Sequence, residues 1–232
     1  MHTLSLAVLF IFLQRPDAPP QPPVLVVTGT AQVFAMPDQA TVRLGIVRQS
    51  TNAQAAQDQA NTIAQEILST IGKLGVPPNQ IQTAKLVLSP VYAPRNVDSR
   101  DVPRIAAYNA TNTVSVRIEN LSLVGAVIDA GLKAGANQLE GVQFGLRNEL
   151  PSREEALKQA VLEARSKAQV MADALRVNLV EVLEATEGGI SIVPLTEATV
   201  GQRLAVSADT PISPGQIQVH ANVTIRYRIS SK

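Results

Sequence analysis

Residues 40–75, ATVRLGIVRQSTNAQAAQDQANTIAQEILSTIGKLG, change hydrophobic period part-way along. Ala40, Val42, Leu44 and Ile46 occupy alternate positions, the two-residue repeat of a strand with one buried face. From Ala53 the spacing becomes three-and-four: Ala53, Ala56, Ala60, Ile63, Ala64, Ile67, Leu68, Ile71 and Leu74 fall on one stripe of an amphipathic helix. Thr51 and Gln54 stand at capping-box spacing before it. Gly75 offers a left-handed helix stop, and Pro77-Pro78 prevent continuation.

Working outward, residues 24–34 are β-branched and apolar, and this strand meets the 40–46 strand around Met36-Pro37-Asp38. Downstream, residues 81–88 read as a strand. A charged segment holding Arg95, Asp98, Arg100, Asp101 and Arg104 then forms a long hairpin tip, and residues 108–118 form the return. Val114, Val116 and Ile118 alternate there with Thr113, Ser115 and Arg117, so one face meets a core and the other lies near water. A shorter helix over 121–134 stops at Gly135, and Val142, Phe144 and Leu146 mark another strand.

Ser152 and Glu155 make a capping box opening a third helix, striped by Ala156, Leu157, Ala160, Val161, Ala164, Ala168, Met171, Ala172 and Leu175. Glu154 with Lys158, and Glu163 with Lys167, sit at i,i+4 spacing and read as a solvated face. A strand over 179–186, extending through Ile190 and Ile192, and a clear strand over 217–229 complete the chain. Strand pairs interleaved with three helices define an α+β class with mixed, largely antiparallel sheets.

The ends and gaps have their own chemistry. An apolar run over 4–13 is about half the ~20 residues a membrane-spanning helix needs and suits a secretory signal, although no Lys or Arg precedes it. The proline-rich stretch 14–23 is an extended spacer, so residues 1–23 are signal-like segment plus spacer and 24–232 the folded domain. Within it, 194–215 is irregular yet keeps Leu195, Val200, Leu204 and Val206, either as a partner surface or as a hairpin insertion.

Composition removes several classes of function. With 20 basic and 19 acidic residues the net charge of +1 gives no bulk attraction for nucleic acid. The absence of cysteine excludes disulfides, thiolate nucleophiles and zinc–thiolate or iron–sulfur sites. His220 is the one histidine of the domain and sits on the polar face of its strand, where an exposed structural role is expected. No Gly-x-Ser-x-Gly elbow, phosphate loop or calcium loop is present. Glu154-Glu155 favour a helix start electrostatically, and Asp98 with Asp101 lie among arginines. Arg226 and Arg228, together on the last strand, are candidate anion contacts.

The order of motifs resembles the SIMPL-domain family, which contains bacterial periplasmic immunogenic proteins and envelope proteins linked to oxidative-stress defence. The residues carrying the resemblance are Gly29 and Ala31, then Pro37-Asp38-x-Ala40, then Thr83 leading to Leu88-Ser89-Pro90-Val91-Tyr92. Tyr108, Gly135-Ala136-Asn137, Phe144, Ala164-Arg165-x-Lys167-Ala168 and the Pro214-Gly215 approach to the last strand continue it. The departures are an N-terminus without a basic flank, which weakens the export signal, and Gln57-Asp58 where a Glu-Ala pair is common.

The resemblance implies an α+β domain that self-associates, in some members into ring- or channel-like assemblies, with an extracytoplasmic location. It supplies no catalytic residue, metal or cofactor. Pro37-Asp38 read as turn chemistry, Gly135 as a helix stop, and Tyr92 and Tyr108 as core or interface aromatics. The expected function is thus a non-enzymatic, exported envelope protein that forms homo-oligomers and supports stress tolerance, with no nucleic-acid partner. The alternative is a periplasmic module binding a small molecule or anion, whose ligand the chain does not name.

Overall fold

The computed structural model describes residues 22–94, 102–195 and 212–232. The segments 1–21, 95–101 and 196–211 lie outside this description, and with them the apolar N-terminal run, most of the charged hairpin tip, and Val200, Leu204 and Val206. Seven strands and three α-helices occur among the described residues, in the order β1 (Val24–Ala35), β2 (Gln39–Ser50), α1 (Ala53–Lys73), β3 (Ile81–Tyr92) and β4 (Ile105–Ile118). Then follow α2 (Val124–Lys133), β5 (Gln138–Gly145), α3 (Leu150–Leu175), β6 (Val177–Leu195) and β7 (Gln216–Ser231).

The strands form two sheets, β3-β4-β2-β5 and β1-β7-β6, and every pairing is antiparallel. The α+β class stands. The expected meeting of β1 and β2 does not: Met36-Pro37-Asp38 carries the chain from one sheet into the other, β1 pairing with β7 and β2 with β4 and β5. Alternation specifies which face of a strand is buried and not which neighbour it takes, so this crossing was invisible locally.

Each sheet has its own core. Val42, Leu44, Ile46, Val114, Val116 and Ile118 on the four-stranded sheet pack under α1 and α2, against Ala56, Ala60, Ile67, Ile71, Val127 and Ile128. On the three-stranded sheet, Ile217, Val219, Ala221, Val223, Ile225 and Tyr227 of the central strand β7 pack under α3. The helix ends are made differently from the capping-box reading. Asn52, not Thr51, caps α1, its side-chain oxygen accepting from Ala55 N at 3.0 Å. Helix α3 begins at Leu150, before Ser152, with Pro151 in its first turn and Asn148 accepting from Leu150 N. Proline is preorganised for that first turn, where its missing N–H has no intrahelical partner to lose. The 121–134 helix is a 3-10 turn (Leu121–Leu123) followed by α2.

Two burial expectations are corrected. Helix α3 buries only Ala156, Ala160, Ala164, Ala168 and Ala172, while Val161, Met171 and Leu175 of the proposed stripe are exposed. A helix that approaches a sheet through alanines sits too close for larger neighbours to reach underneath. On β4, Thr113 and Ser115 are buried rather than wet, because these short side chains lie among longer neighbours on flanking strands, Ser115 in register with Gln82 and Arg43. Thr113 donates from its hydroxyl to Glu140 at 2.7 Å, which satisfies it there.

Candidate functional site

The motif residues fall into four fastenings and an exposed sheet edge. At Gly29 on β1, a Cβ would overlap Ala160 O and Ala164 N of α3, so glycine lets the helix backbone lie directly on the strand. Its helix partners are the central alanines of the buried row.

Beside it, Lys167 donates from Nζ to Thr28 O at 3.1 Å, and Glu163 accepts from Thr30 N at 2.7 Å. The two side chains also pair with each other at 2.7 Å. Strand β1 is an edge of its sheet, and these charges occupy backbone groups that would otherwise face outward. The Glu163 carboxyl is held below its ordinary value by the Lys167 hydrogen bond first and the Thr30 amide second. The solvated-face reading of this pair is therefore incomplete: two of its three contacts are made to the neighbouring strand. Glu154 and Lys158 form no ion pair among the described residues.

Asp38 fastens the crossing between sheets. Its carboxylate accepts from Arg147 N at 2.7 Å and from the Arg147 guanidinium at 3.3 Å, while Asp38 N donates to Gly145 O. Arg147 also meets Glu119 at 3.3 Å. The Arg147 amide above all holds the Asp38 carboxyl below its usual range; desolvation opposes it, and the Arg147 guanidinium adds a lesser lowering. Pro37, next to it, is buried.

Gly135-Ala136-Asn137 fastens α2 to β2. Gly135 ends the helix at φ +109°, and the Asn137 side chain accepts from Val47 N at 2.8 Å and donates to Val47 O at 3.1 Å. An amide that both donates and accepts replaces a missing strand neighbour beyond the last β2–β5 pair, Gly45–Gln138. Arg48 adds a hydrogen bond to Gly135 O.

The remaining motif residues line sheet surfaces. Thr83 lies at a bulge in the β3–β4 pairing, and Pro90 lies opposite Tyr108 on the exposed edge strand β3. Tyr108 and Phe144 pack half-buried against the first core, but Tyr92 is 55% exposed and is no core aromatic. Leu86, Leu88 and Ile105 are also exposed around it.

Arg226 and Arg228 do share a face, yet each is already engaged across β6, Arg226 with Glu184 at 3.2 Å and Arg228 with Glu181 at 3.0 Å. An anion would have to compete with those carboxylates. His220 is half-buried rather than exposed, and its Nδ1, like Asn222 Oδ1 in the same row, is buried without a hydrogen-bond partner among the described residues. Sequence reading missed Arg147 and Glu119, whose partners lie up to 109 residues away, and undervalued Glu163. Asn52 had a local signal, a capping residue immediately before the periodic stretch.

Among the described residues no cluster of three or more histidine and acidic side chains could hold a metal ion, and no helix is long and apolar enough to cross a membrane. Fold and site together define an α+β protein of two antiparallel sheets, one backed by α1 and α2 and the other by α3, whose motif residues tie helix to strand and sheet to sheet. The chain belongs to the SIMPL family, described as proteins of unknown function (DUF541), whose model matches residues 25–227. It is 30% identical over 225 residues to the 26 kDa periplasmic immunogenic protein of Brucella melitensis biotype 1, covering 94% of this chain and 89% of that protein. It is also similar to the uncharacterized protein YggE of Escherichia coli K12, 30% identical over 155 residues, 66% of this chain and 61% of the relative. YggE of Edwardsiella ictaluri is 28% identical over 160 residues, 69% and 66% of the two chains.

Proposed function

We propose that this chain is an exported protein of the cell envelope that acts without catalysis, assembling into a homo-oligomer that supports stress tolerance. The observation that carries the location is the near full-length similarity to a protein named periplasmic. The non-catalytic reading is supported by the motif residues, since Gly29, Asp38, Asn137 and Lys167 are committed to backbone contacts. Self-association is supported by apolar side chains left uncovered on both sheets, including Leu86, Leu88, Tyr92, Val180 and Val182.

Three measurements test the parts separately. Fractionation of cells expressing the full chain should place it outside the cytoplasm; a wholly cytoplasmic distribution sinks the envelope reading. Multi-angle light scattering of the full chain at micromolar concentration should give a discrete multiple of 24.7 kDa, and a clean monomer removes the assembly. Deletion of the gene should lower survival under peroxide; unchanged survival removes the stress role.

A further inference from the structure

A three-stranded sheet is wider than one helix, and α3 lies over β1 and β7 while making fewer contacts with β6. The uncovered strip leaves a groove of about 960 Å³ along the β6 side of α3. Its floor is Leu179, Ala185, Ile225 and Tyr227, and its helix wall is formed by Val161 and Arg165. The floor is apolar and continuous with the second core.

The charges at this groove are unequal. Glu181 at its rim is neutralised by Arg228 at 3.0 Å. Arg165 forms no ion pair among the described residues. One unspent guanidinium above an apolar trough matches a molecule with one anionic head and one apolar chain, and a planar guanidinium suits a carboxylate because it can give two parallel hydrogen bonds. The volume also lies at the upper end of the range of about 300–1,000 Å³ found for small-molecule sites.

We propose that the α3–β6 groove binds a single-chain fatty carboxylate, the chain along Leu179, Ala185, Ile225 and Tyr227 and the head on Arg165. This site does not rest on the location argued above, but it shares Val180 and Val182 with the apolar surface that supports assembly, so subunit number is read alongside binding. It also differs from the Arg226/Arg228 face, where carboxylates of the protein itself already fill the anion positions.

The test is isothermal titration calorimetry of the full chain with dodecanoate and, in parallel, with dodecanol, both below their aggregation limits. Dodecanoate should bind with one site per chain, and Arg165→Gln should weaken it roughly fivefold to tenfold while leaving dodecanol within about twofold. Ala185→Phe fills the floor and should abolish binding of both. Val161→Gln, on the helix surface, serves the same purpose should Ala185→Phe fail to fold. Absence of dodecanoate binding overturns the proposal, as does binding that Arg165→Gln, Ala185→Phe and Val161→Gln all leave unchanged. Light scattering on the same samples separates the other occupant: if Ala185→Phe or Val161→Gln lowers the subunit number and no amphiphile binds, the groove holds a second copy of the chain and the proposal fails.

Discussion

Replacing Gly29 with alanine should cost this protein about 2–3 kcal/mol, most of it through the displacement of one helix. The new methyl would land on Ala160 O and Ala164 N, which are backbone atoms of α3 that no rotamer change can move. Gly29 does not have a positive φ, so alanine meets no backbone strain, and the stiffer unfolded chain alone would favour it by about 0.4–1 kcal/mol. Opposing this, α3 must lift off the strand. Its five buried alanines each present a methyl to the sheet, and losing them all at about 0.8 kcal/mol per methyl-sized group sets an upper limit near 4 kcal/mol. Partial tilting of the helix lowers that loss, and the unfolded-state gain subtracts further. Urea unfolding monitored by circular dichroism reads the difference as a lower midpoint at unchanged slope. A Gly29→Ala protein as stable as the parent would refute the close-approach argument, because the only remaining effect of the substitution is stabilising.

Gly72→Ala is the matched control: among the described residues nothing beyond its own stretch of helix lies within 4 Å of its Cβ position, so stability should rise by about 0.5–1 kcal/mol in the same unfolding assay. Asn137→Leu keeps bulk but removes the exposed amide that pairs with Val47 N and O, for an expected loss of about 0.5–1.5 kcal/mol in urea unfolding; a neutral result would sink the strand-substitute role. Asp38 titrates below its ordinary value in the folded chain, so its contribution is present above the unfolded pKa and disappears as pH falls through the folded one. Stability of the parent should therefore drop on acidification below about pH 4, and Asp38→Asn, already weaker at neutral pH, should drop less; parallel pH profiles would contradict this. Glu163→Ala frees the Thr30 amide, whose hydrogen exchange should accelerate about tenfold by NMR while amides inside α1 keep their rates.

The elements themselves were legible because each carries a local physical signature. Alternation on β2 and β7 and the three-and-four stripe on α1 report burial on one face, and Gly75 and Gly135 do take positive φ at the helix ends. Where two local signals competed, the weaker rule lost: Ser152 and Glu155 matched a capping box, but Pro151 and Asn148 already started α3 upstream. The candidate site was legible only as a set of residue types. Asp38 and Lys167 stood out by resemblance, while their partners Arg147 and Thr28 lie 109 and 139 residues away and carry no sequence mark of the pairing.

By itself the sequence determined the α+β class, the three helices, the buried face of β7 and the exclusion of thiol chemistry, since all of these follow from residue type and spacing. Tertiary structure alone decided that β1 and β2 part company at Pro37-Asp38, and that an all-alanine row rather than its larger neighbours meets the second sheet. It also decided that Arg226 and Arg228 are matched by glutamates while Arg165, among the described residues, is not. The reason is physical: a period encodes which side of an element avoids water, whereas partner choice depends on the approach distance between elements, and here that distance is set by the missing Cβ of Gly29.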